Sequence, residues 1–111
     1  HYMLRKMTRM MEHLIVYPKN MMRNLEKTEG LIFSQSVLLA LVEKGISRED
    51  AYSLVQKNAM QSWAKGEDFL TLLKKDKKVS SLLTKKEIEK IFNLKAQFKN
   101  VDIIFKRIFK Q

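Results

Sequence analysis

The stretch GLIFSQSVLLALVEKGISREDAYSLVQKNAM, Gly30 to Met60, decides the fold. Ile32, Phe33, Val37, Leu38, Leu41 and Val42, with Leu39 and Ala40 between them, predict a helix that is apolar nearly all round. Such a helix must be buried against several neighbours. Gly45 stops it, at a position where a left-handed residue is cheap. Ser47 then caps a second helix, and Asp50 sits three residues on, a capping-box arrangement with Asp in place of the usual Glu. Such a cap contributes about 1 kcal/mol. Ala51, Tyr52, Leu54, Val55, Ala59 and Trp63 line this helix, and Gly66 ends it. Trp63, an aromatic on an apolar stripe, is expected in the core.

Working outward, EDFLTLLKKD predicts a short helix carrying Phe69, Leu70, Leu72 and Leu73. Thr84 and Glu87 form a second capping box, with Leu82 and Leu83 before the helix and Ile88, Ile91 and Phe92 within it. NLKAQFKN reads as irregular. VDIIFKRIFKQ makes a final helix with Val101, Ile104, Phe105 and Ile108 on one side. Upstream, Met3, Met7, Met10, Met11 and Leu14 share one side of a helix, while Arg5, Lys6, Arg9, Glu12 and His13 fall elsewhere. No cap precedes Tyr2, so the expectation is a helix cut from a longer chain. Val16 and Tyr17 should be extended before Pro18, which opens a short helix to about Lys27. The run LIVY has strand propensity but no partner strand. The class expected is all-α: a small, irregular bundle of about six helices. The methionine stripe is surplus to that bundle and should meet another subunit or an absent part of the chain.

The chain has 111 residues, 45% hydrophobic and 31% charged, with three glycines, one proline and no cysteine. That excludes a disulfide framework and any thiolate metal site or nucleophile. No apolar run reaches the length of a membrane span, and the first residues do not form a signal peptide. The net charge of +10 raises a polyanion partner, but lysines and arginines occur along the whole chain and suit solvated helix faces. His1 and His13 lack a second ligand at metal spacing, so no metal site is expected and His13 should be exposed. The pairs Glu49–Asp50, Glu67–Asp68 and Glu87 with Glu89 stand at helix starts, where acids favour the macrodipole. Ser34, Ser36 and Ser47 have no histidine beside them, and no glycine pattern resembles a phosphate loop. No catalytic, cofactor-binding or metal residue is expected.

Several elements together resemble the carboxy-terminal region of the adenylosuccinate lyase family, in the fumarase/aspartase superfamily. These are L-V-Y-P-x-N-M-x-x-N-L at Leu14 to Leu25 (Ile15 intervening), G-L-x-F-S-Q at Gly30 to Gln35, and V-L-L-A-L at Val37 to Leu41. Others are S-R-E-x-A-Y at Ser47 to Tyr52, V-Q-x-N-A-M at Val55 to Met60, and V-D-x-I-F at Val101 to Phe105. They run in order across almost the whole chain. Ser36 departs from the pattern, since many relatives carry arginine there, which puts any ion pair at that point in doubt.

The resemblance implies a cytoplasmic, metal-independent enzyme that eliminates fumarate from two purine precursors, adenylosuccinate and the succinyl-carboxamide ribotide. It implies a homotetramer built on a shared helical bundle, with catalytic residues upstream of His1. Residues 1–28 would then be the end of a central-bundle helix and its connection, and residues 29–111 the carboxy-terminal helical domain. Asn24, matched to the motif, is expected to satisfy backbone at a turn rather than bind a ligand. The partners implied are the rest of the parent chain and its homotetramer, and a nucleotide only in the full assembly. The alternative reading is a basic helical module for nucleic acid or protein.

Overall fold

Helices account for all the regular structure of the computed structural model, which describes residues 1–109. In chain order they are α1 (Tyr2–Glu12), α2 (Pro18–Glu26), α3 (Ser34–Glu43), α4 (Arg48–Lys65), α5 (Phe69–Lys75), α6 (Lys77–Leu82), α7 (Lys85–Ile91), α8 (Leu94–Gln97) and α9 (Val101–Phe109). A 3-10 turn, Leu31–Phe33, leads into α3. The all-α class is as expected. Among the described residues there are nine helices rather than about six; α6 and α8 fall where none was expected. The final helix was expected to run through Lys110 and Gln111, which lie outside the described residues.

The core forms where α3, α4, α5 and α7 meet. Val37, Leu38 and Leu41 of α3 pack with Ala51 and Val55 of α4, Phe69 and Leu73 of α5, Val79 of α6, Leu83, and Ile88 of α7. Each large side chain fully buried there stabilises by roughly 1.5–3 kcal/mol before chain entropy is counted. The α3 helix is less enclosed than its composition predicts, since Leu39 remains exposed, as does Ile32 of the 3-10 turn before it.

Caps set most of the boundaries. The Ser47 hydroxyl accepts from the Asp50 N–H at 3.1 Å and donates to the Asp50 carboxylate at 2.7 Å. The reciprocal bond to the Ser47 backbone N–H does not form, because Asp is one methylene shorter than Glu. Thr84 and Glu87 do complete the box: the Thr84 N–H donates to Glu87 Oε2 at 2.8 Å and the Glu87 N–H to Thr84 Oγ1 at 3.3 Å. The unexpected α6 starts on Asp76, whose carboxylate accepts from the N–H groups of Lys78 and Val79. Asp76 also ends α5, so one residue closes two short helices. Asn93 caps α8 in the same way, by accepting from the Lys95 N–H.

Between α2 and the core the chain turns through two consecutive left-handed residues, Glu29 (φ 49°) and Gly30 (φ 82°). The Phe69 N–H donates to the Glu29 carbonyl at 3.0 Å and ties this turn to the start of α5. Before the turn, α1 and α2 bury no residue; beyond the core, neither does α9. The radius of gyration is 18.7 Å, where a compact chain of this length has about 13 Å.

Candidate assembly surface

The accessible area is 9546 Å² for 13.2 kDa. A compact monomer of that mass exposes roughly 6,400 Å². The excess, on the order of 3,000 Å², lies within the range that obligate interfaces bury. It is carried by apolar side chains at helical spacing: Met3, Met7, Met10 and Met11 on α1, Met21 and Met22 on α2, and Ile104, Phe105 and Ile108 on α9. Charged residues occupy the other sides of these helices, and the Lys6 ammonium lies 5.3 Å from the Tyr2 ring centre. The methionine stripe is thus on α1 as expected and is left uncovered within this chain.

Trp63 corrects the expectation of a core position, because it is 78% exposed. The inward side of α4 carries polar residues instead: Asn58 is 4% exposed and Ser62 1%. Both are satisfied. Ser62 donates to the Glu67 carbonyl at 2.6 Å, and Asn58 donates to the Leu54 carbonyl at 2.9 Å and to Asp76 Oδ2 at 3.1 Å. Because polar side chains point inward, the α4 stripe does not follow hydrophobicity alone. Tyr52 and Met60 accordingly stay exposed beside Trp63.

Asp76, which the sequence pattern did not single out, is the most connected carboxylate. Burial pushes its pKa up, but the Asn58 amide, the Val79 and Lys78 N–H groups and the Lys57 charge more than offset this and leave it below its ordinary value. Lys57 Nζ stands 3.7 Å away. The signal available in sequence was an Asp directly before a lysine-rich run, a cap position in disguise. Glu87 is held down to about 2 by the Lys44 ammonium at 2.6 Å and by the Thr84 N–H and hydroxyl. Lys74, also at 2.6 Å, lowers Glu89. These two pairs pin α7 to α3 and to α5, so the acids of α7 do structural work.

The other singled-out residues are dispersed. His13 closes α1, its Nδ1–H donating to the Arg9 carbonyl at 2.8 Å, and is exposed as expected. Asn24 lies within α2 rather than at a turn, and its side chain makes no hydrogen bond among the described residues. Among the described residues it satisfies no backbone group, and it stands in a helix where a turn was expected. Ser36 accepts from Gln97 Nε2 at 3.3 Å, a weak link to α8 where an arginine pair was in doubt. Ser34 opens α3 without a cap bond. Among the described residues no three His, Cys, Asp or Glu side chains converge as a metal site would require. No helix among them is long and apolar enough to cross a membrane.

Comparison with known proteins places this helical core in a family. The family model described as "Adenylosuccinate lyase C-terminus" matches residues 30–108. The chain is 43% identical over 108 residues to adenylosuccinate lyase of Bacillus subtilis (strain 168), covering 97% of this chain and 25% of that protein. It is 48% identical over 107 residues to the Streptococcus mutans enzyme (96% and 25%) and 40% identical over 111 residues to the Thermotoga maritima enzyme (100% and 26%). The chain therefore spans about a quarter of the length of the curated relatives it matches. With the core, its caps and this similarity together, the chain belongs to the adenylosuccinate lyase family and corresponds to that family's carboxy-terminal region.

Proposed function

We propose that this chain is the carboxy-terminal scaffold of a cytoplasmic adenylosuccinate lyase, and that it supports subunit packing and the mouth of the active site. The parent would eliminate fumarate from adenylosuccinate and from the succinyl-carboxamide ribotide, taking a proton beside a carboxylate as the amine departs. In this reading the acid, the base and the phosphate-gripping groups lie on other parts of a homotetramer, no metal takes part, and no residue of the present chain breaks a bond. Residues 1–28 form the end of a central-bundle helix with its connection, and residues 29–111 the terminal domain.

The observation that carries the proposal is the contrast between a well-capped core at α3–α7 and uncovered apolar stripes on α1 and α2, in a chain of this family. Fumarate release, followed in the ultraviolet with adenylosuccinate as substrate, tests it. The 111-residue chain should show none at any concentration, and the chain joined to its upstream parent sequence should be active. Turnover by the isolated chain, free of parent enzyme, overturns the proposal.

A further inference from the structure

A groove of about 760 Å³ lies between α4 and the corner where α5 passes into α6. Asp50, Ser53, Leu54 and Lys57 line it from α4, at the i, i+3, i+4, i+7 spacing of one helix face. Lys75, Lys77, Lys78 and Ser81 line the opposite side. The floor is apolar, made of Ile46, Leu54 and Leu82, each half-buried.

Two acids share the groove with four lysines, and both acids are already engaged. The Asp76 side chain is only 9% exposed; it accepts from the Asn58 amide at 3.1 Å and from the Lys78 and Val79 N–H groups, with Lys57 Nζ 3.7 Å away. Asp50 accepts from the Ser47 hydroxyl at 2.7 Å within its cap. By contrast Lys75, Lys77 and Lys78 are exposed and join no ion pair among the described residues. The groove therefore carries an excess of positive charge beside an apolar floor.

A dianion attached to an apolar body answers this arrangement. Lysine binds phosphate as a point charge, and several ammonium groups can share one phosphate dianion. Ser53 adds a hydroxyl donor on the α4 side, whereas the Ser81 hydroxyl already donates to the Lys78 carbonyl at 2.8 Å. The volume falls in the range of roughly 300–1,000 Å³ typical of small-molecule sites. We propose that this groove binds a small organic phosphate, its phosphate held by Lys75, Lys77 and Lys78 and its body laid over Ile46, Leu54 and Leu82. The proposal does not rest on the reaction assigned to the parent.

Two probes test it: phenyl phosphate, a phosphate on an apolar ring, and inorganic phosphate, which lacks the ring. Amide NMR of the 111-residue chain at low salt follows their binding, and far-UV circular dichroism checks that each variant folds. Saturable shifts are expected around residues 53–57 and 75–82, with phenyl phosphate bound about threefold or more tighter than inorganic phosphate. Lys75→Gln with Lys78→Gln should weaken phenyl phosphate about tenfold, and Lys75→Arg with Lys78→Arg should restore most of that loss. Lys19→Gln with Lys86→Gln, which removes the same charge from exposed positions elsewhere, should change it less than about twofold. If the first pair fails to fold, Lys77→Gln alone carries the test, with a loss of about threefold. Binding of neither probe overturns the proposal. So do shifts that never saturate, an equal loss in the two glutamine pairs, and a ring that adds nothing to affinity.

Discussion

Replacing Gly30 by alanine probes the junction between arm and core at one atom. At φ +82° an L-residue costs about 1–2 kcal/mol. The new Cβ would also stand 2.9 Å from Phe92 Cε1. That ring is wedged by Phe33 and Phe69 and cannot swing away freely, so overpacking adds about 1–3 kcal/mol. Stiffening of the unfolded chain offsets about 0.4–1 kcal/mol. The net expectation is a loss of roughly 1–5 kcal/mol. Gly45 (φ +96°) and Gly66 (φ +65°) have nothing within 4 Å of a Cβ, so their alanine variants carry the backbone cost alone. Urea unfolding followed by far-UV circular dichroism reads all three variants. With a slope of about 1–1.5 kcal/mol/M, the Gly30→Ala midpoint should fall by about 0.7–3 M more than that of either control, the share of the overpacking alone. If Gly30→Ala is no more costly than Gly66→Ala, the close approach of Phe92 is not what shapes this turn.

Asp76→Ala removes the α6 cap and a partner of buried Asn58, and should cost roughly 1–3 kcal/mol, a fall of about 5–15 °C in thermal midpoint; Asp76→Asn, which keeps the cap, should cost less. Leu41→Ala should cost about 2–5 kcal/mol in the 111-residue chain, whereas Met7→Ala should lie within about 0.5 kcal/mol of wild type in the same urea series. The folded pKa of Glu87 is about 2, below its ordinary 4.5, so its contribution is complete above pH 4.5 and is lost as pH falls from there toward 2. Urea midpoints of wild type and Glu87→Gln should therefore converge over that window, and a gap that stays constant refutes the Lys44–Glu87 link. Trp63, exposed in this chain, should be quenched by acrylamide nearly as well folded as unfolded.

Much of this fold is legible because its strongest local signals agree with one another. Gly45 between an apolar run and Ser47, and the Thr84–Glu87 box, each specify a boundary by a backbone group that one side chain can reach. The helices α6 and α8 lack such redundancy. Six and four residues are too few to show a helical period, and both depend on a single Asp or Asn cap that reads equally well as a turn. Trp63 departs from its expected core position for a different reason. Composition ranks it ahead of Asn58 and Ser62 for burial, but hydrogen bonds to Asp76 and to the Glu67 carbonyl turn the polar pair inward and rotate the tryptophan out. The uncovered stripe of α1 was visible as a surplus of methionine over what a bundle needs. The cleft that brings Glu26, Glu29 and Asp68 around Phe92 was not, since its carboxylates come from segments brought together only by the fold.

The direction in which α2 leaves the core is not fixed by any buried side chain of its own. It is written in the main chain, by Glu29 and Gly30 and by the bond from the Phe69 N–H to the Glu29 carbonyl. Substitutions along α2 that leave this elbow intact should therefore change what the helix meets and not its angle of departure. Geometry and recognition can vary separately at this elbow.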